Sequence, residues 1–99
     1  MKNPTRRLEH TTNAFLQDPE AAAVYLEEAL ADGDIDLFKI ALRNVAEARL
    51  GGMTALAEKT GLGRESLYKS LSEDGNPRLN TLTGVLKATG LRLSVTTNG

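Results

Sequence analysis

Arg64, Glu65, Tyr68 and Lys69 fall on a short stretch in which Leu67 and Leu71 supply an apolar face. With those leucines turned inward at helical spacing, Glu65, Lys69 and Ser72 point outward, and Arg64 and Tyr68 lie on the flanks. Residues near the N-terminus of such a helix can reach base edges in the major groove of DNA. The Arg64 guanidinium can donate two hydrogen bonds to guanine O6 and N7, worth roughly 1–3 kcal/mol of discrimination. Glu65 is repelled by phosphates but can accept from cytosine N4. Tyr68 can meet a thymine methyl or a phosphate, and Lys69 can neutralise a phosphate. Thr54, Ser66, Arg78, Asn80 and Thr81 are phosphate candidates as well. The last three stand before a helix whose free backbone N–H groups could hold an anion. Plainer uses exist for the same residues: Glu65–Lys69 is an i,i+4 surface pair, and Asn80 is a helix cap.

The elements that must position these groups lie in residues 53–71, MTALAEKTGLGRESLYKSL. They read as two short helices joined by a tight turn. The first turns Leu56 and Ala57 inward and ends at Thr60. Gly61 follows, where a left-handed backbone is easiest for a residue without Cβ. Leu62 is expected to plug the corner, and Gly63 sits at the N-cap of the second helix. Helices that cross steeply over a short turn need a small residue where they touch, and Ala57 is that residue. This is the helix-turn-helix pattern, whose second helix lies in the major groove. Ser70 departs from it, standing where the motif has an apolar residue, and Leu71 is expected to fill the core instead. A helical hairpin inside an ordinary bundle fits the spacing too.

Upstream, residues 1–18 read as a partly ordered arm, from which Leu8, Phe15 and Leu16 could dock on the body. The single domain is then residues 19–99. Asp18 can cap a first helix, Pro19 fits its first turn, and Ala22, Tyr25, Leu26, Ala29 and Leu30 form its buried face. Gly33 closes it. Asp34 can cap a second helix from Ile35 to about Leu50, whose stripe is Phe38, Ala41, Leu42, Val45 and Ala46. Downstream of the motif, Asn80 or Thr81 caps a last helix with Leu82, Val85 and Leu86 inward. Residues 91–96 then alternate apolar and polar, as a half-buried strand does. Leu91, Leu93 and Val95 are its candidate dimer face, since a lone strand needs a partner and a second copy can supply one. A tail merely packed on the body is the alternative.

Composition narrows the function classes. The 99 residues carry a formal net charge of -1 and no cysteine, which removes disulfides and cysteine-based zinc sites and permits a reducing cytoplasm. The first fifty residues hold six Lys or Arg against nine Asp or Glu, the remainder six against four. Residues 20–36 hold six acids and no base. That run is either a solvated face or a docking surface for a basic protein, with Glu20, Glu27, Glu28 and Asp32 as the facing candidates. No apolar run is long enough to span a bilayer. His10 is the only histidine, no phosphate-binding glycine loop is present, and Glu27 and Glu28 do not face one another. No enzyme, cofactor or metal reading follows.

The segment GLGRESLYKSLSEDGNP, with Thr81-Leu82, Val85-Leu86 and Gly90-Leu91-Arg92-Leu93, resembles the addiction-module antidote proteins. These are HigA-like antitoxins with a lambda-repressor-like (Xre-type) helix-turn-helix. Pro19-Glu20, Tyr25-Leu26, Glu28-Ala29-Leu30, Gly33-Asp34 and the run from Ala46 to Arg49 share the likeness, which covers the chain from Asp18 to Leu93. It implies an all-α domain of about five helices with a short C-terminal β-strand, acting as a cytoplasmic, non-enzymatic homodimer. It implies a double-stranded DNA operator as one partner, repressed through Arg64, Glu65, Tyr68 and Lys69. The other implied partner is a small basic RelE/HigB-like toxin, an mRNA-cutting ribonuclease. A stand-alone regulator without a toxin, or a protein-binding module that does not bind DNA, are the alternative readings.

Overall fold

The computed structural model describes residues 14–98, and those residues contain five helices of more than one turn. They are α1 (Pro19–Ala31), α2 (Ile35–Leu50), α3 (Met53–Thr60), α4 (Arg64–Ser70) and α5 (Leu79–Ala88). Each start has a local cause. Asp18 Oδ1 accepts from the Glu20 N–H at 3.2 Å, and Pro19 occupies the first turn, where its missing N–H costs nothing. Asp34 Oδ1 accepts from Asp36 N–H at 3.0 Å and Leu37 N–H at 3.2 Å. Both caps stand where the sequence places them.

Packing follows the chain: α1 lies on α2, α2 on α3, and α3 on both α4 and α5. The core is one cluster. Ala22, Leu26 and Ala29 of α1 meet the full predicted stripe of α2, and Leu56, Leu67, Leu71, Val85 and Leu86 complete it. Leu71 is fully buried while Ser70 is half-buried, so Leu71 fills the core beneath the end of α4. Leu16 is also fully buried, whereas Phe15 is half exposed. Leu8 lies outside the described residues.

Four expectations are corrected. Leu30 is 46% exposed, because the row Ala22, Leu26, Ala29 already faces α2 and Leu30 lies roughly 70° around the helix from the centre of that row. Leu62 is 38% exposed: Leu56, Leu67 and Leu71 already occupy the corner, and Thr60 Oγ1 holds the Leu62 N–H at 3.2 Å. The last helix begins at Leu79, with Arg78 rather than Asn80 or Thr81 at the N-cap. The Leu82 N–H closes the first turn on the Arg78 carbonyl, and exposed ends of this kind leave their free N–H groups to water. No strand is formed over residues 91–96; the segment is irregular because no ladder partner exists for it among the described residues.

Candidate nucleic-acid interface

The turn between α3 and α4 spans only residues 61–63. Gly61 has φ 75°, a backbone that costs an L-residue with a Cβ about 1–2 kcal/mol, and its N–H donates to the Ala57 carbonyl at 2.9 Å. Thr60 Oγ1 donates to the Leu56 carbonyl at 2.9 Å, which fastens the end of α3. α4 then leaves Gly63, whose backbone is extended, without a side-chain cap. Leu67 is buried against the body, while Arg64, Glu65, Ser66, Tyr68 and Lys69 are all exposed around the rest of α4.

Two of these side chains are brought together. The Arg64 guanidinium carbon sits 5.9 Å from the centroid of the Tyr68 ring, within the range of a cation–π contact. Tyr68 also lines a notch of about 460 Å³ with Arg43, Asn44, Glu47, Gly51, Gly52, Met53 and Thr54. Thr54 therefore joins Tyr68 across the α2–α3 junction, and Arg43 joins both without having been singled out. Its signal is weak in the sequence, since outward positions of a long helix are commonly basic. Arg78 and Asn80 are exposed and Thr81 is half-buried, on the separate opening turn of α5.

The far end of α4 is held by a residue that pattern reading passes over. Lys39 is 2% exposed, and its Nζ donates to the carbonyl oxygens of Ser72 at 2.8 Å, Glu73 at 3.0 Å and Gly75 at 2.6 Å. Asp36 Oδ1 lies 3.1 Å away. An ammonium group has three donors, and all three are used; without such partners a buried charge would be too costly to keep. The loop leaving α4 is thus tied back to α2. Gly75 is required there for space: a Cβ would stand 2.0 Å from the Lys69 carbonyl oxygen and 2.4 Å from that of Ser70. The signal for Lys39 was present, because it falls three before Leu42 and seven before Ala46 on the inward stripe.

The acidic candidates Glu20, Glu27, Glu28 and Asp32 are all exposed on or just after α1. Glu27 lines a groove with Leu91 and Leu93, while Val95 is 98% exposed beyond it. Among the described residues no group of three or more His, Cys, Asp or Glu is placed to hold a metal ion, and no helix is long and apolar enough to cross a membrane.

Comparison with known proteins bears on what these surfaces serve. Residues 7–97 match the model of a family described as "Probable addiction module antidote protein". An uncharacterized protein of Haemophilus influenzae (strain Rd) is 40% identical over 80 residues, covering 81% of this chain and 80% of that relative. No solved structure matches the chain.

Proposed function

The chain belongs to the family of addiction module antidote proteins, and we propose that it is the DNA-binding antitoxin of its module. In this reading α4 enters the major groove of an operator duplex and represses the module's own transcription. The protein also masks a basic ribonuclease toxin of the RelE/HigB type, by steric and electrostatic cover rather than by chemistry. The family match over residues 7–97 carries the antitoxin assignment. The DNA assignment draws on α4, which buries Leu67 and exposes Arg64, Glu65, Tyr68 and Lys69 on its free side. Arg64 reads guanine, Lys69 and the start of α5 meet phosphates, and Thr54 and Ser66 add hydroxyl donors. A homodimer with α4 repeated at roughly 34 Å would meet successive turns of a near-palindromic site. The Leu91 N–H is held by the Leu86 carbonyl, and the backbone after it, which joins no ladder among the described residues, pairs with a second copy in this reading.

Fluorescence anisotropy on the duplex upstream of its own gene, against a scrambled duplex, tests this. The expected preference is about a thousandfold or more, with affinity falling as salt rises. Equal, feeble binding to both duplexes would remove operator recognition by the isolated chain and leave the protein-binding role.

A further inference from the structure

Resting on the antitoxin reading, we infer that the toxin docks on a specific groove between α1 and the C-terminal segment, by laying a basic, apolar-centred segment into it. The groove has a volume of about 530 Å³. Val24, Leu26 and Leu30 of α1, Phe38 of α2, and Leu91 and Leu93 form its apolar lining. Val24, Leu30 and Leu93 are each about half exposed, although α1 has a fully packed opposite side on α2. Three large apolar side chains open to water in one concavity mark an interaction surface rather than scattered exposure.

The rim says what kind of partner fits. Glu27 lines the groove itself, and Glu20 and Glu28 stand four residues either side of Val24 on the exposed surface of α1 beside it. Asp32 follows at the end of α1. No Lys or Arg occurs between Arg7 and Lys39 in the sequence, and Lys39 is buried and fully partnered. Arg92 is the one cation in the lining. An apolar floor bordered on the α1 side by exposed carboxylates favours Lys or Arg flanking a short row of apolar residues.

The same rim argues against a second copy seated face to face. A two-fold contact places one patch on itself. The exposed acids of α1 would then face a surface with the same acidic excess, and like charges brought together cost binding energy. A basic molecule of different sequence removes that repulsion.

The test uses the full chain and the small basic protein encoded beside its gene, purified separately and titrated by calorimetry. Two variants are compared with the wild type: Glu27→Lys/Glu28→Lys for the rim and Val24→Ser/Leu30→Ser for the floor. All four side chains are exposed, so far-ultraviolet circular dichroism is expected to stay unchanged. Each variant is expected to weaken binding by about tenfold or more, with the rim variant also flattening the salt dependence, while anisotropy on the upstream duplex stays at the wild-type value. Wild-type binding with both variants equally tight would overturn the groove while keeping the antitoxin reading. No binding by the wild type would overturn both. Loss of the wild-type dimer in the floor variant, read by sedimentation with toxin affinity unchanged, would assign the groove to a second copy instead.

Discussion

The Nζ of Lys39, on α2, donates to the carbonyl oxygen of Gly75 at 2.6 Å, and so ties the loop behind α4 to the central helix of the bundle. The tie runs from the core to the element whose free face the DNA reading needs. Lys39→Met keeps the length of the aliphatic stem and removes the charge. It leaves three carbonyl groups to find other donors, at a cost of about 1–3 kcal/mol for each left buried. The expected loss is about 3 kcal/mol in total, since water can reach part of this loop. Urea unfolding measures it, and a midpoint equal to that of the wild type would show that the tie contributes nothing.

The two glycines of this region should respond to alanine for different reasons. At Gly61 the space is open and only the positive φ opposes a Cβ, so Gly61→Ala is expected to cost about 1–2 kcal/mol. At Gly75 the Cβ would meet two backbone carbonyl oxygens, which are not free to swing aside. Gly75→Ala is expected to cost about 2 kcal/mol or more and to shift the amide resonances of Lys69 and Ser70. Equal losses at the two sites, without those shifts, would contradict the close approach.

Arg64→Ala tests the proposed base contact. The side chain is exposed and lies over the Tyr68 ring. The variant is expected to lose roughly 1–3 kcal/mol of preference for the operator over a duplex changed at one guanine, with its thermal melt close to the wild-type value. A melt that collapses would make Arg64 structural. Unchanged discrimination would move base readout to another residue.

Deletion of residues 91–99 tests the tail as a dimer element. Sedimentation is expected to give monomers, and operator affinity is expected to fall because two half-sites are no longer bound together. A truncated protein that still sediments as a dimer would place that contact elsewhere.

Local physics made most of the fold readable in advance. Asp18 and Asp34 cap their helices through their own side chains, and the α2 stripe buries as its period requires. These are short-range causes, written into a few adjacent residues. Leu62 and Leu30 escape this local logic because their burial depends on which neighbours reach the same space first. Lys39 takes its role from a related cause. A lysine on an apolar stripe is unremarkable until a loop more than thirty residues away delivers three carbonyl groups to it. The irregular tail belongs to the same class, because a strand is a property of a pair. On α4 the outward Glu65 and Lys69 and the flanking Arg64 are exposed as helical spacing has them, whereas Ser72, also expected outward, is half-buried past the helix end and the Thr54–Tyr68–Arg43 notch needed the packing of three helices.

The stacking of Arg64 on Tyr68 bears on the thermodynamics of recognition. A free arginine side chain carries about 2 kcal/mol of rotamer entropy, and a contact that fixes it must offset that loss. Lying over the ring, Arg64 has given up part of this freedom before any ligand arrives. In the proposed readout the guanidinium would meet a base edge as a partly immobilised fork, so a larger share of the hydrogen-bond enthalpy would remain as affinity. Tyr68→Ala would return the missing disorder to Arg64 without touching its donors, and the loss would register in calorimetry as a less favourable binding entropy.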